Sequence, residues 1–208
     1  VNPLFENKYE KKPNEIPPFG IRIRPHFTEA GIDIDSVSDD PLQTMLPSWK
    51  LVSPNINFQL TAFKKDNTSA AVYKQRYLEQ CSHYTGFEKI FTDGSLKDDS
   101  VAAASVSERR LRRPMQHRLP DGCSIYTAEL KAILLALKHI YQSSHTSFLI
   151  VSDSLSALQA ISTRKISHPF LADFHDLHSE LVGEGKEIVF LWVPSHMGIR
   201  GNDIVDRA

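Results

Sequence analysis

Four acidic residues occupy positions where an unpaired charge would be costly. Asp93 and Asp153 each end a short apolar run that is typical of a buried strand. Glu129 lies beside the apolar stripe of one predicted helix, and Asp206 lies in another. If such carboxylates converge, each pair at about 4 Å repels by roughly 4 kcal/mol at an effective dielectric constant of about 20, and bound divalent cations offset this cost. The pattern therefore predicts a metal site, and Mg²⁺ prefers such hard oxygen ligands.

Each carboxylate also has an ordinary structural explanation. Asp93 precedes a glycine and would suit a turn. Glu129 would be favoured near a helix N-terminus by the helix dipole, and Asp153 would serve as a helix cap. Asp203 competes with Asp206, because either would be an acid in the first turn of the final helix. Only the occurrence of all four acids in this order favours a functional interpretation.

The composition favours one catalytic domain with a substantial extension, because 208 residues are few for two full domains. The formal net charge is only −1 at pH 7, so a polyanionic partner would need a local basic patch. The cysteines, Cys81 and Cys123, are typical of a reduced intracellular protein and form no zinc-binding pattern. We therefore expect a protein of the cytoplasm or nucleus that is not secreted.

Prolines punctuate the first part of the chain. We expect residues 1–85 to be a linker or docking extension with little regular structure, and residues 86–208 to form the catalytic domain. Short strands are predicted over Ile21–Arg24 and Ile56–Phe63, and a helix over Ser69–His83. No apolar run is long enough to span a bilayer, so no membrane partner is expected. The chain begins without Met and ends inside the last predicted helix, so we expect the polypeptide to continue on both sides.

From residue 86 onward the pattern is that of an α/β domain. Short strands separated by polar turns predict an antiparallel meander, and the later apolar strands predict a sheet covered on both faces. The predicted strands are Lys89–Thr92, Val101–Val106, Pro114–Leu119, Phe148–Ser152 and Ile188–Val193. The first predicted helix follows the cap Ser124 and runs to about Tyr141, and the second covers Leu155–Ile161 after the cap Ser154. The third starts at His168 or Pro169 and ends at Gly183–Gly185, and the last follows the cap Asn202.

The densest positive run of the chain lies between the second and third predicted strands. It consists of Arg109, Arg110, Arg112, Arg113 and Arg118, of which the first four are the candidate binding residues. Arginines contact nucleic-acid phosphates wherever a near-neutral protein must hold a polyanion, so this run is a candidate binding patch. The alternative is a solvated hairpin, and the sequence leaves both interpretations open.

Two histidines share a face of one predicted helix and raise the question of zinc. The charged neighbours Asp173 and Glu180 predict instead that His175 and His178 form a solvated surface. His139 is expected to be packed or to cap a helix. No zinc site is therefore predicted.

Four motifs in a fixed order carry a family resemblance. They are Thr92-Asp93-Gly94-Ser95, Thr127-Ala128-Glu129-Leu130, Ser152-Asp153-Ser154, and Val193-Pro194-Ser195-His196-Met197-Gly198 followed by Gly201-Asn202 and Asp206. This set resembles type 1 ribonuclease H, over about Lys89 to Ala208. It is especially similar to the ribonuclease H domain of LINE-type (non-LTR) retrotransposon polyproteins. In such polyproteins the Pro-rich first segment would follow a reverse transcriptase domain, and the chain would be covalently continuous with further domains.

The resemblance implies a ribonuclease H-like fold of the α/β class. Its five-stranded mixed sheet has three antiparallel and then two parallel strands and is flanked by helices. The implied activity is hydrolysis of the RNA strand of RNA/DNA hybrids with two Mg²⁺ ions, for which Mn²⁺ is able to substitute. The implied site comprises the metal ligands Asp93, Glu129, Asp153 and Asp206, with Asp93 between the two ions, and His196 as a mobile proton-transfer or product-release residue.

Rival functions make different predictions. A transposase or integrase would carry its essential glutamate last among the acids, whereas Glu129 is second. A catalytically inactive ribonuclease H-like module would bind nucleic acid without cutting it, and a docking module would do neither. The complete set of four acids favours the nuclease. Assays of hybrid cleavage with Mg²⁺ and of hybrid binding distinguish it from the inactive module, which would only bind, and from the docking module, which would do neither.

Overall fold

The computed structural model describes residues 19–31, 33, 46–97, 100–111 and 113–207. The chain divides into two compact units, Val1–Pro41 and Leu42–Ala208. In the first unit the described part is helix α1, Phe19–Glu29, which contains Pro25. The prediction of a strand over Ile21–Arg24 is therefore wrong. A proline inside a helix costs backbone hydrogen bonding but does not always end the helix.

Within the described residues of the second unit there are six strands: β1 Asn55–Asn57, β2 Glu88–Lys97, β3 Ser100–Ser107, β4 Met115–Leu119, β5 Ser147–Ser152 and β6 Glu187–Trp192. They form one sheet in the order β1-β6-β5-β2-β3-β4. The antiparallel strands β2, β3 and β4 and the parallel strands β5 and β6 were predicted, and this arrangement is confirmed.

The sixth strand corrects the expected count of five. Strand β1 comes from the predicted extension and pairs in parallel with β6, where Ile56 lies opposite Phe190. Three residues are too few to show a strand period in the sequence, and the predicted strand over Ile56–Phe63 continues instead as a short 3₁₀ helix, Gln59–Ala62. The open edge of β6 provides the hydrogen-bonding partner that makes this segment a strand.

The helices of the second unit begin where the sequence provides caps. The side chains of Ser69, Ser124 and Ser154 each accept a hydrogen bond from a backbone N–H in the first turn, as predicted for the last two. The bounds are α2 Ala70–Ser82, α3 Ile125–Tyr141, α4 Leu155–Ile161, α5 Pro169–Gly183 and α6 Arg200–Val205. Asn202 was predicted to cap α6, and this is wrong: Ile199 is the N-cap residue and Asn202 is buried inside the helix.

Helices cover both faces of the sheet, as the apolar strands predicted. On one face, Ile188 and Phe190 of β6 pack with residues of α3, α4 and α5. On the other face, Val189 and Leu191 pack with residues of α2 and α6 and with Leu60. Successive residues of β6 thus contribute to opposite cores, which is why this strand shows no polar alternation.

Much of the predicted extension packs against the sheet. The backbone N–H groups of Leu46 and Val52 donate to the side chains of Asp176 and Ser179 on α5, each at 2.9 Å. Tyr73 of α2 is fully buried. The packing is therefore continuous across residue 85, and the division of the chain at that point remains a prediction about functional organisation.

The histidines of α5 are buried, which corrects the prediction of a solvated surface. His175 and His178 are each 1% exposed, and the backbone of Thr163 lies near the ring of His175 and that of Val52 near the ring of His178. The ring of His178 stacks on Phe174 at a centroid distance of 5.4 Å and also lies against Phe190. The charged neighbours suggested a polar helix face, but the upstream residues near Val52 cover it. None of the helices in the described part of the chain combines the length and apolar character that a bilayer crossing requires.

Candidate active site

Three aspartates converge near the carboxyl end of β5, in the middle of the sheet. Asp93 lies in β2, and Asp153 directly follows β5, the parallel neighbour of β2. Because Thr92 pairs with Ser152, the two aspartates follow this pair side by side. The end of α6 brings in Asp206, and each of the three offers one carboxylate oxygen within 4.8 Å of the others. Pairing of distant strands therefore assembles the cluster.

Glu129 lies against the same cavity from the second turn of α3 and is only 9% exposed. Its Oε2 atom is buried and has no hydrogen-bond partner among the residues described. Helix α3 comes this close to β2 because residue 94 is glycine. A Cβ at Gly94 would lie 2.6 Å from the backbone nitrogen of Glu129 and 2.9 Å from the Cβ of Ala128. The absence of a side chain at this position brings the fourth carboxylate to the site.

Burial and mutual repulsion disfavour ionisation of the four acids. Burial and the charges of Asp153 and Asp206 raise the pKa of Asp93 to about 7. Burial and the charge of Asp93 raise the pKa of Glu129 to about 9. The pKa values of Asp153 and Asp206 are also raised, first by burial. The protein alone does not neutralise this concentration of carboxylates.

The residues fit a divalent cation. All four acids offer carboxylate oxygens, the donor type that Mg²⁺ prefers over imidazole and thiolate. The buried oxygen of Glu129 lacks a protein partner, and a bound cation would satisfy it. A positive ion would also remove the repulsion that raises the pKa of Asp93. The chemistry of the donor set therefore supports a metal centre of hard oxygen ligands.

Two residues that the sequence analysis did not assign to the site hold its aspartates. The side-chain amide of Asn202 donates to Asp153 Oδ2 and to Asp206 Oδ1, each at 3.2 Å. The indole Nε1 of Trp192 donates to the backbone carbonyl of Asp153 at 3.1 Å. The spacing of four residues between Asn202 and Asp206 on a helix is the signal that could have revealed the contact between these two side chains. These bonds orient two of the clustered carboxylates.

His196 lies in the loop between β6 and α6. It has a φ of 58°, in the left-handed region that few non-glycine residues adopt. Its Nδ1 lies 3.2 Å from Asp206 Oδ2, while 77% of the side chain remains exposed. The ring thus contacts the carboxylate cluster on one side and remains accessible to solvent.

The clustered residues form the wall of a single cavity of about 500 Å³. The aspartates, Glu129 and His196 all line it, so the structure brings together the five predicted catalytic residues. The cavity is lined by Asp93, Gly94, Ser95, Leu96, Glu129, Asp153, Ser195, His196 and Asp206. Its open side provides access for a large substrate.

The arginine run lies elsewhere. Arg109 and Arg110 are exposed in a 3₁₀ turn after β3, Arg113 is exposed beyond it, and Arg112 lies outside the described residues. Arg109 approaches the buried carboxylate of Glu88, with its Nε atom 3.9 Å from Oε2. The three described arginines line an open groove of about 1070 Å³ that is separate from the carboxylate cavity.

The distance between the two features follows from strand register. Asp93 pairs with Ala104 of β3, whereas the arginine turn begins after Ser107. Three residues along a strand span about 10 Å. The arginines are therefore too far along β3 to belong to the carboxylate cluster, but they are within the length of a short nucleic-acid duplex.

A family model described as RNase H matches residues 87–208. The matched region contains strands β2 to β6 and all four clustered acids. Domains of this family bind and hydrolyse RNA/DNA hybrids and typically use divalent metal ions, so the match supports this general activity. Because the match covers more than half of the chain, the chain belongs to the RNase H family.

Proposed function

We propose that this chain is an active endonuclease that hydrolyses the RNA strand of RNA/DNA hybrids with two Mg²⁺ ions, which Mn²⁺ can replace. The observation that carries the proposal is the convergence of three aspartates within 4.8 Å beside the buried, unpartnered oxygen of Glu129. Divalent cations bound there would activate the attacking water and offset charge on the phosphate and the leaving oxygen.

The four acids have the role of metal ligands in this proposal. Asp93 is repelled by both Asp153 and Asp206, which supports a central position between two ions. Glu129 approaches from α3, from a different direction than the aspartates. Asn202 fixes two of the aspartate oxygens through its amide, so the ligands keep their orientation before substrate arrives.

His196 is proposed to move a proton during cleavage or product release. Its imidazole is exposed and contacts Asp206 through Nδ1. An imidazole ring carries two nitrogens, so one nitrogen is able to contact Asp206 while the other donates or accepts a proton. Contact with Asp206 would hold the ring beside the reacting phosphate.

Substrate recognition is proposed to rely on duplex shape and on the RNA 2′-hydroxyls, with no preference for base sequence. The arginine run would contact phosphates away from the scissile bond. Its candidate binding residues are Arg109, Arg110 and Arg113, together with Arg112, which lies outside the described residues. The described arginines are exposed, and they lie beyond the end of β3 at a distance from the carboxylate cluster, which supports this role. Because the net charge of the chain is only −1, such a local patch is the expected source of affinity.

The proposed setting is a LINE-type retrotransposon polyprotein, inside the cell. The likeness of the motifs around Asp93, Glu129, Asp153 and His196 supports this setting. Residues 1–85 would then follow a reverse transcriptase domain. Cleavage of template RNA after reverse transcription would allow synthesis of the second DNA strand.

The direct test is incubation of the chain with a labelled RNA/DNA hybrid and Mg²⁺. We expect short RNA fragments from the hybrid and none from single-stranded RNA or duplex DNA. Asp153→Asn should abolish cleavage but preserve hybrid binding. A parent chain that binds the hybrid without cutting it would indicate an inactive RNase H-like module, and one that neither binds nor cuts would indicate a docking module.

A further inference from the structure

A lysine from the upstream segment lies at the rim of the carboxylate cavity. The Nζ atom of Lys65 donates a hydrogen bond to Ser195 Oγ at 3.1 Å, and Ser195 lines the cavity. Burial raises the pKa of Asp153, and the positive charge of Lys65 partly offsets that increase. Lys65 lies 22 residues before the region that matches the family model, which begins at residue 87. The family motifs therefore do not account for this contact.

The backbone before Lys65 is tied to the domain. Strand β1 pairs with β6, and Leu60, five residues before the lysine, is 1% exposed. The ring of Phe63 packs edge-on against Tyr73 at 6.3 Å, and the Tyr73 hydroxyl donates to the Phe63 carbonyl at 2.6 Å. These contacts fix the backbone at Phe63, two residues before Lys65. The side chain of Lys65 is therefore held near Ser195 at the rim of the cavity.

The cavity needs a positive charge for its substrate. Its walls carry four carboxylates, whereas the substrate is a polyanion whose phosphates must approach them. A lysine ammonium is a compact point charge with three donors, which suits a phosphate oxygen at a solvent-accessible position. The exposed Lys65 has this chemistry at the open edge of the site.

We propose that Lys65 binds a phosphate of the RNA strand next to the scissile bond, exchanging its hydrogen bond to Ser195 for the phosphate oxygen. The segment before the family-matched region is then part of the substrate-binding surface. This inference rests on the proposed function. It assigns to Lys65 the role of a substrate-positioning residue, distinct from the arginine run and from the metal ligands.

The test compares three variants of the full chain: Lys65→Ala, Lys65→Arg and Lys64→Ala. Lys64 is the matched control, because it is an adjacent exposed lysine and its removal changes the net charge equally. Binding of an RNA/DNA hybrid is measured with EDTA at several salt concentrations, where no cleavage occurs. KM and kcat are then measured with Mg²⁺, and thermal melting shows whether each variant folds.

We expect Lys65→Ala to raise both Kd and KM by about threefold to tenfold and to reduce the slope of log Kd against log salt concentration by about one. Lys65→Arg should retain most of the affinity, and Lys64→Ala should change Kd by less than about twofold. The melting temperature should be unchanged in all three variants, because Lys65 is exposed.

Equal effects of Lys65→Ala and Lys64→Ala on Kd, salt slope and KM would refute the inference, even with a parent chain that cleaves. A fall in melting temperature with Lys65→Ala, without a selective change in salt slope, would assign Lys65 a structural role and also refute it. Failure of the proposed function has a different signature: the parent binds the hybrid in EDTA but does not cleave it in Mg²⁺. The binding measurements still decide the role of Lys65 in that case.

Discussion

The carboxyl group of Asp93 shows how one residue can depend on two distant parts of the chain. Its pKa rises to about 7 because the carboxyl is buried and because Asp153 and Asp206 lie beside it. In the absence of a cation the cluster therefore holds protons that it would release on binding metal. Asn202 opposes the rise for Asp153 by donating to its carboxylate. A network of this kind is sensitive to the loss of a single oxygen.

Asp206 and Asp203 provide a test of residue identity. Asp206→Asn removes a clustered carboxylate, and we expect hybrid cleavage to fall by about 100-fold or more, since even residues that orient a metal ligand contribute about 10–100-fold. Asp203→Asn removes the same charge from the same helix but leaves the three clustered aspartates intact. It should retain cleavage within a few-fold. Single-turnover rates measure both effects, and equal losses in the two variants would contradict the assignment of Asp206.

At the scale of elements, two glycines determine how closely the helices approach β2. Gly94 lets α3 bring Glu129 to the site, as a side chain there would meet the helix backbone. A Cβ at Gly201 in α6 would overlap the ring of Phe91 in β2. Each of these helices carries an acid of the site, Glu129 in α3 and Asp206 at the end of α6. The two glycines therefore allow both the close packing of the helices and the approach of these carboxylates to the site.

Gly94→Ala tests this packing. The added methyl group meets backbone atoms that cannot move independently, so β2 and α3 must separate. We expect the free energy of unfolding to fall by about 1–3 kcal/mol and cleavage to fall with it. The control is Gly183→Ala in α5, where a Cβ has open space and should stabilise the chain by about 0.4–1 kcal/mol. Urea denaturation measures both values, and a Gly94→Ala variant as stable as the parent would refute the argument.

At the scale of the whole molecule, the segment from Leu46 to Asn57 packs against the same compact unit that carries the site. It provides β1 at one edge of the sheet and contacts α5 near its buried histidines. Burial lowers the pKa of His175 and lowers that of His178 to about 4, so both rings are neutral in the folded protein at pH 7. Stability of the unit should therefore depend on pH.

The sign of this dependence follows from the shift. The pKa of His178 is lower in the folded protein than the ordinary value of 6.5, so its full contribution to stability is present above pH 6.5 and is lost as pH falls toward 4. The loss amounts to about 3 kcal/mol by pH 4. We expect His178→Leu to remove this dependence, so the variant gains stability relative to the parent as pH falls. Urea denaturation at pH 7, 6 and 5 measures the difference, and a constant difference would contradict burial of a neutral His178.

Metal binding should also stabilise the whole molecule. Cations that bind only the folded carboxylate cluster add about 2.7 kcal/mol at 100 times their Kd, which for a chain of this length raises Tm by about 5–10 °C. Asp153→Asn should greatly reduce the increase. Melting curves with and without Mg²⁺ at constant ionic strength provide the measurement. Equal increases in the parent and the variant would mean that Mg²⁺ acts outside the cluster.

The sequence by itself determined the order of strands and helices after residue 86 and the identity of the clustered acids. Caps such as Ser124 and Ser154 act on adjacent backbone groups, and the apolar period of α3 is a local property of the chain. The same holds for Asp93 and Asp153, which adjoin the apolar runs that bury them, although β2 continues past Asp93 to Lys97 and does not end there. Local patterns predict such features because their physical causes lie within a few residues.

Only the tertiary structure decided the features that depend on distant segments. Strand β1 forms because β6 offers an open edge, and His178 is buried because the residues near Val52 pack over its helix. Asn202 looked like a helix cap, but the fold brings its amide to Asp153, which lies 49 residues away in the sequence. Lys65 reaches the cavity rim for the same kind of reason. Contacts between segments more than 40 residues apart depend on which surfaces meet when the chain folds, and no local pattern encodes that meeting.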